Sequence, residues 1–295
     1  MRRLAHYVQA QTGTISEPRN WRENDLGDSL FYSNRCTEYD PTTYPSRLHH
    51  HDYYELILYL EGDIQYVCED TVYTPRAGDV ILIPPKALHM SRLCAEKTTY
   101  RRHVFYLYPD ALDELGCGAL TEGLVGGVFA LTVLRTVGDS QRLRRLAEAL
   151  DGALTERGDP LEAAHAKGLL IEIFYLLNGY RRCAPEDTRA LPETVRRVKS
   201  YIDGHLTELG SVEELADTLF YSREYLSRLF QRHFHISVSE YIRNRRIALS
   251  QTLLAEGLPV LEVCHRVGYE SLSAFNRAFR AVLSMTPTQY RQTLP

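Results

Sequence analysis

The sequence predicts an α+β protein of two domains: an N-terminal β-barrel with flanking helices, and a C-terminal all-α domain of two helix-turn-helix units joined by a long helix. Three observations predict it. Short segments rich in Tyr, Val and Ile alternate with turn residues from about Leu30 to Tyr108, the apolar period turns helical from about Asp139, and the last third of the chain contains a repeat. The 295 residues suit two cores of ordinary size, and 44% hydrophobic with 24% charged content belongs to a folded globular chain.

The N-terminus, MRRLAHYVQAQTGTISEPRN, starts basic but lacks the apolar run of a signal peptide, and no stretch approaches ~20 uninterrupted apolar residues. A cytoplasmic protein that does not enter a membrane is therefore expected. Cys36, Cys68, Cys94, Cys117, Cys183 and Cys264 show no C-x-x-C pair or metal-like spacing and read as reduced thiols.

The segments ELILYL, IQYVCED, DVILIP and RRHVFYLY, separated by EGD, PRAGD and PPK, place the barrel at about 28–110. QRLRRLAEALDGAL and LEAAHAKGLLIEIFYLLNGYRR follow as two helices at about 139–181. In the second, Leu169, Leu170, Ile173, Phe174 and Leu177 form an apolar stripe that either packs on the barrel or makes a homodimer surface. CAPEDTRALPE, with two prolines, marks a linker at 183–192, so the first domain covers 1–182 and the second 193–295.

Net charge is −4, distributed unevenly: residues 193–295 hold 13 Lys and Arg against 11 Asp and Glu, a balance of +2, and the rest of the chain carries −6. So weak a basic excess means that any nucleic-acid role must rest on where the cations sit. Val212, Leu215, Ala216 and Leu219 recur 48 residues on as Val260, Val263, Cys264 and Val267; Leu226, Arg228, Phe230 and Tyr241 recur at an offset of 49 as Phe275, Arg277, Phe279 and Tyr290. The unit is duplicated.

Each repeat reads helix, turn, helix. Ser211 with Glu214 forms a capping box, and Ser222 and Ser271 cap the second helices. With Leu226, Leu229 and Phe230 inward, Glu224, Ser227, Arg228 and Gln231 face out; with Phe275, Ala278 and Phe279 inward, Leu272, Ser273, Asn276, Arg277 and Arg280 do. Arg suits guanine edges and Asn adenine, so both faces have the make-up of recognition helices. Between them, residues 238–256 form one unbroken helix of about 19 residues, some 28 Å long at about 1.5 Å per residue, which lets one chain address groove segments about one turn apart. Arg243, Arg245 and Arg246 on this rod are expected at phosphates.

The stretches ELA..L.YS..YLSRLF, YIRNRRI, VGYES...FNRAF and TPTQYR, spread over Val195 to Arg291, resemble the DNA-binding domain of the AraC/XylS family. The resemblance implies a transcription regulator, here an activator, with double-stranded DNA and RNA polymerase as partners. It also implies that Glu224, Ser227, Arg228, Leu272, Ser273, Asn276 and Arg277 face bases or phosphates. Phe220, His235 and Ser284 stand where family members often carry glycine, at turns that favour positive φ.

In the β part, His49, His51 and Glu55 share one face by alternation, with Tyr53 beside them, and His89 follows the run AGDVILIPPKALH. H-x-H-x3-E-x6-G (His49 to Gly62) and G-x5-P-x4-H (Gly78 to His89) resemble the two halves of the cupin motif, so the barrel is expected to be cupin-like. Thr43 and Lys86 replace two of its glycines. His49, His51, Glu55 and His89 suit Zn²⁺, Fe²⁺, Mn²⁺ or Ni²⁺, and equally suit, with Tyr53, the wall of a pocket for an organic effector. No cofactor is fixed by these residues. Tyr53, Tyr59, Tyr66, Tyr73, Tyr100 and Tyr106 fit stacking against a sugar-like effector and are also ordinary strand residues. His50 alternates to the opposite side and is expected at the surface.

Two functions compete: an effector-controlled DNA-binding regulator that is not an enzyme, and a metal-dependent cupin enzyme with an accessory helical domain. Only the first uses both halves of the chain.

Overall fold

The computed structural model describes residues 22–25, 30–39, 48–94, 98–128, 130–135, 140–154, 159–183 and 188–294. The N-terminal stretch and Thr43 lie outside them.

Among the described residues eleven strands make two antiparallel sheets. Strands β1 (Arg22–Asp25), β2 (Leu30–Tyr39), β3 (Tyr54–Glu61), β6 (Val80–Ile83), β8 (Thr98–Leu107), β9 (Thr132–Arg135) and β10 (Arg181–Cys183) form one, in the order β1-β2-β8-β3-β6-β9-β10. Strands β4 (Ile64–Cys68), β5 (Thr71–Tyr73), β7 (His89–Leu93) and β11 (Thr188–Ala190) form the other, in the order β11-β5-β4-β7.

Strict alternation explains the larger sheet. Ile57, Tyr59, Ile81, Ile83, Val104 and Tyr106 point into the barrel with Tyr66 and Tyr73 of the smaller sheet. Leu56, Leu58, Val80, Leu82, Phe105 and Leu107 point the other way, onto helices α2 (Ser140–Ala153) and α3 (Pro160–Asn178). Because both faces are covered, these strands read as continuous apolar runs. A short helix α1 (Gly118–Val125) precedes them; its glycine-flanked eight residues gave no periodic signal.

The stripe on α3 belongs to this packing. Ile173 and Phe174 are fully buried in the cluster beneath the sheet, and Leu169, Leu170 and Leu177 join them. Burying each large side chain contributes about 2 kcal/mol. The expectation that this stripe serves as a homodimer surface is therefore corrected: its apolar face is used within the chain.

The helical domain runs α4 (Glu193–Gly204), α5 (Val212–Leu219), α6 (Arg223–Phe234), α7 (Val238–Ala255), α8 (Val260–Arg266), α9 (Leu272–Leu283) and α10 (Pro287–Thr293). Ser222 and Ser271 cap α6 and α9 by accepting from the Tyr225 and Ala274 N–H groups. Ser211 caps α5, but the Glu214 carboxylate takes the Gly210 N–H, so full capping boxes occur instead at Ser237 with Glu240 and Thr286 with Gln289. Phe220, His235 and Ser284 end α5, α6 and α9 at φ of 58°, 54° and 57°, the left-handed conformation that glycine adopts without strain.

The segment expected to be a plain linker carries a strand. β11 pairs with β5, too short an element to leave a sequence pattern, and Leu191 N–H donates to the Asp70 carbonyl at 3.2 Å. On the far side of the same turn, Lys199 Nζ lies 2.7 Å from Asp70, and Arg245 lies 3.1 Å from Glu69. Among the described residues no helix is long and apolar enough to cross a membrane.

Candidate functional site

Helices α6 and α9 are the second helices of the duplicated unit, and each buries one face. Leu226, Phe230 and Phe234 fix α6, and Phe275, Phe279 and Leu283 fix α9. That leaves Glu224, Ser227, Arg228 and Gln231 exposed on α6, and Leu272, Ser273, Arg277 and Arg280 exposed on α9, with Asn276 half-buried between them. Arg277 donates to Ser273 Oγ at 3.0 Å along the outer face. The rod α7 has 18 residues, about 27 Å of helix.

The arginines of the rod are placed differently from expectation. Arg245 pairs with Asp203 at 2.8 Å and Glu69 at 3.1 Å, and Arg246 donates to the carbonyls of Leu206 and Leu209 at 2.9 and 2.6 Å. Both are corrected from phosphate contacts to intramolecular ties. Arg243 is half-buried and lies 3.5 Å from Glu240. Spacing on a helix shows which side a residue takes, not whether another element already covers that side.

In the barrel, strand β3 brings Glu55 between two imidazoles. His51 Nε2 lies 3.2 Å and His89 Nε2 3.1 Å from Glu55 Oε2, and one ligand atom from each of the three lies within 4.8 Å of the others. The other ring nitrogens are 2.9 Å from the Tyr53 and Ala87 carbonyls, which only accept, so both Nδ1 atoms carry the proton. In the neutral tautomer that remains, two lone pairs and a carboxylate oxygen converge, an arrangement that calls for a cation in their midst: a proton or a metal ion. Backbone carbonyls holding Nδ1–H are also the supports that ligating histidines use. Two histidines and one carboxylate therefore fit a divalent first-row metal.

Burial would raise the Glu55 carboxyl, but where the cation between the three groups is a proton, its hydrogen bond from His51 or His89 Nε2 outweighs burial and holds the carboxyl well below the usual carboxylate range. Burial pulls the His51 imidazole down. Tyr53 stacks on His51 with centroids 4.0 Å apart. His49 is corrected out of the ligand group: it is exposed, its ring lies 4.4 Å from that of His89, and its nitrogens are not among the converging atoms.

Tyr59, Tyr66, Tyr100 and Tyr106 line the interior with Tyr53, and Tyr66 and Tyr100 share a hydrogen bond. The Arg102 guanidinium sits 3.8 Å from the Tyr100 ring centre. A cleft of about 490 Å³ opens beside Ala87, walled by Cys68, Glu69, Leu131 and Cys183. His50, expected at the surface, is 1% exposed, with Nε2 3.0 Å from Gln251 Oε1 on α7. Alternation sends it away from the barrel as predicted, but the helical domain covers that side.

The chain matches two family models, an AraC-like ligand binding domain over residues 31–174 and a helix-turn-helix domain over residues 215–293. Regulatory protein SoxS of Salmonella typhimurium is 31% identical over 103 residues, covering 35% of this chain and 96% of SoxS. The HTH-type transcriptional activator RhaS of Enterobacter is 23% identical over 250 residues, covering 83% of this chain and 87% of RhaS. Among solved structures, ToxT from Vibrio cholerae is 11% identical over 94% of this chain and 99% of its own, with a TM-score of 0.36.

Proposed function

The chain belongs to the AraC/XylS family of DNA-binding transcription regulators, and from that premise we infer that it is a cytoplasmic activator whose DNA affinity is set by an effector bound in the barrel. The observation that carries this reading is the pair of exposed polar faces on α6 and α9, repeated in sequence and joined by one rigid helix. Glu224, Ser227, Arg228 and Gln231 read one major-groove segment, and Leu272, Ser273, Asn276, Arg277 and Arg280 the next, with Arg243 near the backbone. RNA polymerase is the protein partner of an activator bound this way.

The input site is built on His51, Glu55 and His89, with Tyr53 and the tyrosine wall behind them. A divalent metal there would supply a Lewis-acidic centre held by His51 Nε2, His89 Nε2 and Glu55; the aromatic wall favours a sugar-like ring stacked nearby. The working division is a sensing domain over 1–182, a connecting segment over 183–192 and a DNA-binding domain over 193–295. A metal-dependent enzyme would need the same three side chains but leaves both exposed helix faces without a role.

A selection of genomic fragments with the purified chain, followed by a salt titration on the recovered site, tests this reading. Two sequence blocks about ten base pairs apart, bound far above random DNA, are expected. Recovery of no sequence with any of the barrel's candidate ligands present would refute it.

A further inference from the structure

The segment 48–53, which bends at Asp52 and Tyr53 before β3, divides its side chains between two surfaces. His49, His51 and Tyr53 turn to the barrel site: His51 meets Glu55, the His49 ring lies against His89, and Tyr53 stacks on His51. The residues between them turn to the helical domain. Leu48 N–H donates to the Phe234 carbonyl, and the Leu48 carbonyl accepts from Asn244 Nδ2, both at 3.3 Å. His50 meets Gln251 at 3.0 Å. Asp52 accepts from the Tyr108 hydroxyl at 3.1 Å and hydrogen-bonds Tyr290 of α10.

Those contacts are spread along the whole DNA-binding domain. Phe234 ends α6 in the first unit; Asn244 and Gln251 sit two turns apart on the rod; Tyr290 packs its ring 5.7 Å from Phe279, on the buried face of α9. Three residues within a five-residue stretch of the barrel, Leu48, His50 and Asp52, thus reach the first helix-turn-helix unit, the rod and the helix packed on the second unit. The second loop that carries the site reaches the rod as well. Lys86, three residues before His89, donates its N–H to the His51 carbonyl at 2.6 Å and its Nζ to Thr252 Oγ1 at 3.0 Å. It holds φ of 65°, a conformation that glycine would take without cost.

We propose that His50 and Asp52 are positioning residues that carry a displacement of the His51, Glu55 and His89 site to the rod and to the second helix-turn-helix unit, and so set the spacing at which α6 and α9 meet DNA. Neighbouring residues of an extended chain share one backbone but face opposite ways, so a shift imposed on the odd side appears on the even side. Water cannot replace the far contact, because His50 and Gln251 are both fully enclosed. This deepens the reading of the chain as an effector-controlled DNA binder and rests on it.

The test compares affinity for two DNA fragments that carry the selected blocks about ten and about twelve base pairs apart. Wild-type full chain prefers one spacing. His50→Ala is expected to lower that preference by about fivefold or more, the lower end of coupling between distinct sites, while circular dichroism reports a folded chain. His50→Gln, which keeps a donor near Gln251, restores part of it. Glu55→Ala shifts the same ratio, and Glu55→Ala with His50→Ala together shift it no further than either alone. If His50→Ala does not fold, Asp52→Asn reads the same ratio. A preference unchanged in a folded variant, or additive effects in the double variant, overturns the proposal and leaves the DNA-binding reading intact. A wild-type chain that prefers no two-block DNA over random sequence removes the DNA-binding reading itself.

Discussion

Tyr241 and Tyr290 occupy the same position of the two repeats, yet their hydroxyls bond to different domains. Tyr241 reaches Asp203 within the helical domain at 3.5 Å, whereas the Tyr290 hydroxyl sits between Asp52 of the barrel and Gln251 of the rod. The duplicated fold keeps both rings as core and has turned one hydroxyl into a contact between domains.

Replacing each tyrosine by phenylalanine separates those roles. Tyr290→Phe is expected to lower unfolding free energy by about 1 kcal/mol, since it removes a buried partner from Asp52; Tyr241→Phe should cost less, because a 3.5 Å contact is at the limit of a hydrogen bond. Urea unfolding of both variants checks this, and the reverse order would contradict it.

The three left-handed helix ends predict stabilisation. Phe220→Gly, His235→Gly and Ser284→Gly each relieve a positive φ and should raise stability by up to about 1 kcal/mol, most cleanly at Phe220, which is 94% exposed and loses little packing. Thermal melting of the single variants reads the effect, and a fall in midpoint for Phe220→Gly would show that its ring matters in the fold.

Acid should weaken the barrel through His103. Burial pushes its imidazole down to about 4, against the pull of Asp151 and Glu148, while an unfolded histidine takes up a proton near 6.5. Between those values the unfolded chain binds the extra proton. Stability present above pH 6.5 is therefore lost as pH falls toward 4, by roughly 1 kcal/mol per pH unit for this ring. Urea midpoints across that window should slope downward, and His103→Asn should flatten the slope.

DNA readout should separate the exposed arginines from the tied ones. Arg228→Ala and Arg277→Ala are each expected to reduce specific affinity by about 1–3 kcal/mol and to relax sequence preference in one block only. Arg245→Ala should instead lower stability, since it removes the guanidinium that ties Glu69 to Asp203. Base-by-base competition binding distinguishes these outcomes; uniform weakening by all three would count against the assignment of the two helix faces.

Local pattern makes much of this legible in the sequence. Short apolar runs such as ELILYL and DVILIP between turn residues located strands, serines at 222 and 271 located helix starts, and the repeat located both exposed faces. His51, Glu55 and His89 were recoverable because a strand period and a motif spacing bring them together. The environments of His50, Arg245 and the strand at Thr188 were not. Their partners, Gln251, Glu69 and Tyr73, lie 201, 176 and 115 residues away in the chain, and no period or cap encodes a contact at that range. His49 shows the converse: it shares the parity of His51 and pairs with His89 through its backbone, yet its side chain is exposed, so parity gives the side a residue takes and not its depth.

The pairing of β11 with β5 bears on how freely the two halves could be exchanged between proteins. A helical domain transplanted alone would bring Lys199, which is 3% exposed, without the hairpin acids that neutralise it, and the barrel left behind would present an open strand edge able to pair with foreign chains. Inheritance of the two halves as one piece is the arrangement that avoids both penalties. A recombined chimera would have to carry residues 69–73 with their helical counterpart to stay soluble.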